Sequence, residues 1–592
     1  MCTLGDLAGV KGGRVRTLRT GVLVIGSGGA GMRAAIEAAK HSTVTLVSKG
    51  PLGRSGATVL AGADVMADGA SLRRLGFEND GSDSPDAWAQ DIVAEGFHLN
   101  DERLVEVYVE GAGAEVGALV RWGLSVRRVI PRAVLTTGVS ISAALRKGVS
   151  ECGSSISVVD NVMVLDLVKR DGQVVGAVAL DRTTGDLLLI EAGATVLATG
   201  GWHQAYSFNA GPDEATGDGQ AMAYRAGAEL VDMEMVTFAP NILLAPPRHR
   251  GSLWFYILPG MLLNRNGDAF LSWLDPRVAK LALTTEWNKL LVSHASAKEV
   301  SAGRGSPLGG VYFSMKHLPW NVFDAIAAEH PGWRFQGDDF SHLMGKLRDG
   351  HAAEVGPAAE YFEGGIRIDE RCQTTLAGLY AAGECTGGLF GANRVAAATT
   401  EMLVHGAVAG RAAGEAAAGR KVPPIPKQDA EALGEGALAI LDRPPSIPVE
   451  ELRERLRELA YRDVGVLRHK ESLEGAVRSL AELADASGTL GVATKRKEQN
   501  LEWSRAIELR NMLQVVQASA LAALQRAESR GVHYREDCPA VDNKRWRKHI
   551  VVQFRQDQPA LSFADVDSRS AVCAEIVPYE DAIVRTAEAL AT

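Results

Sequence analysis

At 592 residues the chain is longer than one hydrophobic core organises, so two or more domains are expected. Its formal net charge of −9, from 72 acidic against 63 basic residues, is mild for this length and argues against a nucleic-acid partner. No run reaches the roughly 18 uninterrupted apolar residues of a membrane span, and the polar, scattered-basic start lacks the apolar core of a secretory signal.

The six cysteines (Cys2, Cys152, Cys372, Cys385, Cys538, Cys573) form no C-x-x-C pair and no cluster-binding run. A cytoplasmic protein with reduced thiols, no metal site and no iron–sulfur centre of its own is expected. Its 64 glycines are many, as turns that approach a nucleotide closely require.

The first strong signal is Gly21 to Ala35. A short apolar run reads as a buried parallel strand, Gly26, Gly28 and Gly31 follow at G-x-G-x-x-G spacing with Gly29 and Ala30 between them, and an alanine-rich helix begins at once. That order suits a dinucleotide pyrophosphate: a tight turn, close backbone approach, and helix N–H groups facing the anion. Thr43 to Val47 reads as the second strand. It ends in Ser48-Lys49 where a plain NAD domain carries an acidic residue on the ribose, so a different ribose contact is expected. Gly50 to Thr58 is a long glycine-rich loop able to wrap a cofactor. Much later, Lys421 to Pro426 reads as a linker, and Glu450 to Leu459 and Leu501 to Ala527 are helically periodic.

Beyond the glycine loop a series of motifs falls in one order. It runs through Ser48-Lys49, Arg54-Ser55, Asp83-Ser84-Pro85, Leu99-Asn100-Asp101, Ala194 to Gly201, Ala215 to Gly219 and Arg225 to Glu234. Gly303-Arg304-Gly305, Gly364-Gly365-Ile366, Gly378 to Glu384, Gly391-Ala392-Asn393-Arg394 and Arg530 to Asp537 continue it. In these motifs the chain resembles the flavoprotein subunits of succinate dehydrogenase and fumarate reductase, together with L-aspartate oxidase and adenylylsulfate reductase. The resemblance implies an α/β fold: a Rossmann-like FAD-binding domain (1–236 and 350–426), an inserted α+β capping domain (237–349), a C-terminal helical domain (427–530) and an extension (531–592).

It also implies which residues hold FAD: Gly26, Gly28, Gly29, Ala30 and Gly31; Ser48 and Lys49; Arg54, Ser55, Gly56, Ala57, Thr58 and Gly62; Thr199 and Gly200; Arg394, Thr399 and Thr400. Asp218 and Glu384 match the carboxylates that bind cofactor hydroxyls, a strong and directional use of a charged acceptor. Succinate dehydrogenases attach FAD to a histidine directly after the Arg-Ser pair. Gly56 stands there and offers no nucleophile, so FAD is expected to be non-covalent.

The substrate pocket departs from the family pattern. Family enzymes acting on C4 dicarboxylates carry Gln-Phe-His-Pro-Thr where this chain has Thr237-Phe238-Ala239-Pro240-Asn241. A Thr-Glu pair aligns with Ser252-Leu253, and a substrate-binding histidine is replaced by Glu360. The proton-donating arginine falls at Lys289, with Arg277 one short segment earlier; the second clamp arginine is retained as Arg394. Each lost charge-assisted hydrogen bond is worth roughly 1.5–3 kcal/mol. An ionised Glu360 about 4 Å from a substrate carboxylate adds about 4 kcal/mol of repulsion at an effective dielectric near 20. Small-dicarboxylate binding supplies only about 4–8 kcal/mol.

The resemblance therefore implies an FAD-dependent oxidoreductase exchanging hydride between flavin N5 and a substrate carbon, with succinate and fumarate not its substrates. Arg394, Lys289, Glu360 and Tyr256 are the candidate catalytic residues, and Trp254 and Tyr256 shape the pocket. The C-terminal extension resembles that of members with a ferredoxin-like iron–sulfur partner. An aspartate-oxidase-like oxidase and an electron-transfer subunit with a vestigial pocket are the alternatives. His533 reads as architectural, and Lys544 to His549 as a solvated face or subunit contact.

Overall fold

The computed structural model describes residues 15–252, 260–284, 288–329, 334–335, 338–394, 396–568 and 575–590. Its first layer follows the glycine-loop signal. Strand β1 (Arg16–Ile25) runs into helix α1 (Gly29–Ala38), followed by β2 (Val44–Val47), a short helix α2 (Ala57–Leu60) and β3 (Asp64–Met66). Strands β4 (Ile156–Val159), β5 (Val162–Arg170), β6 (Gln173–Asp181) and β7 (Leu187–Leu197) then complete a sheet in the order β4-β2-β1-β7-β6-β5. β1 lies parallel to both neighbours, with Val22 opposite Val44 and Ala194. β7 is buried along its whole length, which is why, apart from Glu191 and Thr195, it carries apolar residues and glycine on both faces rather than an alternating pattern.

Gly26 has φ +107°, and a Cβ there would lie 2.1 Å from the Ala198 carbonyl oxygen; one on Gly31 would lie 1.8 Å from that of Gly26. Only glycine lets α1 start this close to the strand ends.

The second layer starts with α3 (Asp218–Ala226) and β8 (Leu230–Val231). β9 (Val236–Leu243), β10 (Met261–Leu263), α4 (Asn288–Ser301), β11 (Val311–Ser314) and β12 (Ala352–Phe362) form the cap, whose sheet has the order β9-β12-β11-β10. The cap sheet thus reaches Phe362, past the 349/350 division drawn on motifs, because β12 pairs along both its edges with cap strands. The chain returns through β13 (Gly365–Arg367), β14 (Leu379–Ala381), which adds parallel to the C-terminal end of β7, β15 (Thr386–Gly387) and the long helix α5 (Ala398–Ala417).

Helices α6 (Lys427–Asp442), α7 (Val449–Asp463), α8 (Lys470–Gly488) and α9 (Leu501–Gln525) follow the linker. The end of the chain is stitched back. β16 (Lys548–Arg555) pairs with β8, and with β17 (Gln558–Asp565) it closes a sheet in the order β15-β13-β8-β16-β17. Among the described residues no helix is long and apolar enough to cross a membrane.

Candidate active site

The C-terminal ends of β1, β7 and β14 meet in one crevice, the place where an open parallel sheet binds its ligands. The glycine loop, Thr199-Gly200 and Glu384 all stand there. Helix α1 has Gly28 at its N-cap and no side-chain cap. Of its first N–H groups, that of Gly29 donates to Thr58 Oγ1 at 2.9 Å. Glu384 accepts from the Gly201 N–H at 3.1 Å through Oε2, while its buried Oε1 has no hydrogen-bond partner. Burial pushes its carboxyl pKa up. Space is open in front of Gly56, where a Cβ would meet nothing within 4 Å, and of Gly200, where the nearest atom is Glu384 Oε2 at 3.8 Å. An uncapped helix start, an orphaned carboxylate oxygen and two open glycines fit a cofactor carrying a pyrophosphate and hydroxyl groups.

The other expected cofactor residues divide. Lys49 Nζ lies 2.9 Å from Asp218 Oδ2, 2.9 Å from Glu508 Oε1 and 2.8 Å from Thr216 Oγ1. Asp218 also accepts from Thr216 Oγ1 at 2.9 Å and Asn511 Nδ2 at 2.8 Å. Burial alone would raise the Asp218 pKa, but Lys49 and these donors outweigh it and hold it below the usual range. Asp218 is therefore tied to α9 as well as to the crevice side. Ser48 Oγ donates to the Gly50 carbonyl at 2.7 Å. Ser55 Oγ donates to that of Pro51 at 3.2 Å, and Arg54, Ala57 and Gly62 are exposed. Thr399 donates to the Asp64 carbonyl, and Thr400 to that of Met66 at 3.0 Å, so both hydroxyls clasp β3 to the start of α5. Residue pairs such as Lys49 and Glu508, 459 positions apart, leave no local signal in a sequence.

Three candidate catalytic side chains come together. Lys289 is the second residue of α4. Glu360 is the extra residue of a β-bulge: Thr237 pairs with Tyr361 and Phe238 with Ala359, leaving Glu360 unopposed and turned out of the sheet. Arg394 follows a turn pinned by Ala392 N–H to the Gly96 carbonyl (3.0 Å) and Val532 N–H to that of Ala392 (2.8 Å). Lys289 Nζ is 2.9 Å from both Glu360 oxygens, and Arg394 Nη2 is 3.3 Å from Oε2. Burial would raise the Glu360 pKa, but Lys289 and then Arg394 overcome that and hold it ionised, below its ordinary value. The expected repulsion is therefore revised: Glu360 is charged, yet two cations screen it and the trio is net positive. As a general base it is weakened, since each of its oxygens accepts a hydrogen bond from Lys289.

Around the trio stand groups that spacing did not single out. The Arg394 guanidinium lies over the Tyr361 ring, 4.4 Å from its centroid. The Tyr361 hydroxyl donates to Glu401, whose carboxyl burial pushes up to about 8. Glu363 accepts from the Thr237 hydroxyl and is pushed up by burial to about 7. Burial also raises Asp64. His203 Nε2 donates to the Glu360 carbonyl at 2.9 Å and lies 3.4 Å from Glu384 Oε1, linking the trio to the crevice. A lone acid in an alanine-rich helix start was the only hint of Glu401. A small cleft of about 10 Å³, room for about one water, opens beside Lys289, lined also by Val236, Thr237, Phe238, Leu290, Ser293, His294, Asn393, Val466 and Val532.

Arg277 is exposed and bound to Asp275 and Asp581, so Lys289 is the basic residue of this site. Trp254 and Tyr256 lie outside the described residues. His533 is fully buried, with Arg468 Nη1 at 2.6 Å from Nδ1, as an architectural residue would be. The basic run is not one solvated face. Lys544 and Arg545 are exposed, but His549 is buried with Nδ1 2.5 Å from Asp232 Oδ2, because β16 carries it into the sheet.

A family model described as an FAD binding domain matches residues 21–400, and one described as the fumarate reductase flavoprotein C-terminus matches 453–580. The chain is 35% identical over 561 residues to a fumarate reductase (CoM/CoB) subunit of Methanothermobacter marburgensis, covering 90% of this chain and 97% of that one. It is 31% identical over 587 residues to the fumarate reductase flavoprotein subunit of Mycobacterium tuberculosis, covering 91% and 96%. The solved Mycobacterium smegmatis Sdh1 complex in the apo form superposes with a TM-score of 0.81 at 29% identity, covering 94% of this chain and 96% of that chain.

Proposed function

The chain belongs to the fumarate reductase and succinate dehydrogenase flavoprotein family and is an FAD-dependent oxidoreductase, and from that premise we propose a substrate other than succinate or fumarate. The observation that carries this is the trio Lys289–Glu360–Arg394, in which a carboxylate of the protein engages both cations of the site.

FAD, when bound, supplies two-electron hydride chemistry at a substrate carbon. The glycine loop and α1 hold its pyrophosphate, Glu384 a hydroxyl, and Gly56 leaves it non-covalent. Arg394 orients the substrate through one anionic or carbonyl group. Lys289, inside the cleft and partly open to water, holds the proton for the second substrate carbon. Glu360 keeps both cations in place. Because its relatives carry subunit names, we propose a partner for electrons, an iron–sulfur protein.

The double engagement of Glu360 also favours a second reading, a flavin that serves only that partner while the substrate clamp is closed. One experiment tests both readings against fumarate turnover. The flavin is photoreduced anaerobically and mixed rapidly with fumarate, with a viologen, and with oxygen. Reoxidation by viologen or oxygen and none by fumarate supports the proposal; fast reoxidation by fumarate overturns it.

A further inference from the structure

We infer that Glu360 is a specificity-determining residue that acts as a built-in carboxylate, so that the site takes a small mono-anion with an apolar end in place of a dicarboxylate. This rests on the reading above that the trio is the substrate site. Charge points there first. Lys289 and Arg394 bring two positive charges and Glu360 removes one. A mono-carboxylate joining Arg394 and Lys289 completes neutrality, whereas a dianion leaves the site negative. The other groups facing the trio deepen that preference. Asp64 on β3, Glu363 beyond β12, Glu384 after β14 and Glu401 on α5 are all acids near Arg394, held towards neutrality by burial. Ionisation of any of them lowers the net charge further. His203 touches Glu360 through its carbonyl and lies 3.4 Å from Glu384 Oε1.

Geometry agrees. The bulge turns Glu360 towards Lys289 and fixes its backbone through His203, so the carboxylate is preorganised rather than a wandering surface acid. The cleft beside Lys289 is lined by Val236, Phe238, Leu290, Val466 and Val532 together with Thr237, Ser293, His294 and Asn393, so among the described residues it offers an alkyl end apolar walls and a second carboxylate no lysine or arginine beyond Lys289.

The test is calorimetric titration of the flavin-loaded protein with crotonate and with fumarate, for the wild type, Glu360→Gln and Lys289→Gln. Crotonate is expected to bind at least about tenfold more tightly than fumarate in the wild type. Glu360→Gln moves that ratio by about tenfold or more towards fumarate, and Lys289→Gln weakens both acids, fumarate more. Full flavin content of each variant shows that it has folded. Equal or tighter fumarate binding in the wild type, a ratio indifferent to Glu360→Gln, or no binding of either acid overturns the inference. Crotonate that binds with the expected ratio but does not reoxidise reduced flavin sustains it, and overturns the redox role of this site.

Discussion

Tyr361 presents its ring to Arg394 and its hydroxyl to Glu401, so one side chain joins the cationic clamp to a buried acid at the start of α5. Both partners depend on burial: Arg394 loses water contact, and Glu401 is pushed up to about 8. Removing the hydroxyl in Tyr361→Phe takes the shorter of two donors from Glu401, leaving Thr386 Oγ1 at 3.5 Å, at a cost of about 1–3 kcal/mol. The expected outcome is a lower unfolding midpoint in urea with bound flavin retained.

The raised carboxyls set a pH dependence. Glu363 at about 7 and Glu401 at about 8 bind protons more tightly folded than unfolded. Their contribution to stability is complete below the ordinary glutamate range and is lost as pH rises through about 7 and 8. Melting temperature should therefore fall from about pH 5 to about pH 9, and Glu401→Gln should flatten the curve. A wild-type curve that rises over this range contradicts the assignment.

Lys49 separates two buried carboxylates, Asp218 and Glu508. Lys49→Met leaves them facing each other, and breaking such a site costs about 3–5 kcal/mol. The sign for Asp218 is opposite to that of Glu401: its depressed pKa gives stability that is present at neutral pH and lost on acidification. Denaturation at neutral and acid pH should show the variant weaker at neutral pH and closer to the wild type in acid.

Arg526 is fully buried and binds Glu234 at 2.6 Å, Glu528 at 3.2 Å and the carbonyls of Trp546 and Lys548. It fastens the end of α9 to β16. Arg526→Met strands Glu234, while Glu528 keeps Arg530, and should cost about 3–5 kcal/mol, read as a lower urea midpoint; a shift under about 1 kcal/mol would sink the claim.

Gly56 has φ +80° and ψ 175°, a region tolerated almost only by glycine, with open space where a Cβ would point. Acid precipitation of the protein should leave all flavin absorbance in the supernatant. Gly56→His has the room but pays about 1–3 kcal/mol in backbone strain, so it should melt lower than the wild type.

How far the sequence could be read differs from part to part. The strand, glycine loop and helix from Gly21 to Ala35 were legible because each is a local pattern whose physics acts between near neighbours. So were α7 and α9, from helical period. Glu360, Lys289 and Arg394 could be named from their motifs, but not what they do to one another. Their ion trio depends on a β-bulge, on a helix 71 positions away, and on a turn pinned by residues near 96 and 532. The charge state of Glu360, and the neutralising burial of Glu363 and Glu401, likewise came only with folding. A carboxyl's pKa is set by the dielectric and the charges packed round it, and those are gathered from stretches far apart in the chain. Local order of residues chose the cofactor-binding architecture; long-range packing chose the charge of the Lys289–Glu360–Arg394 trio.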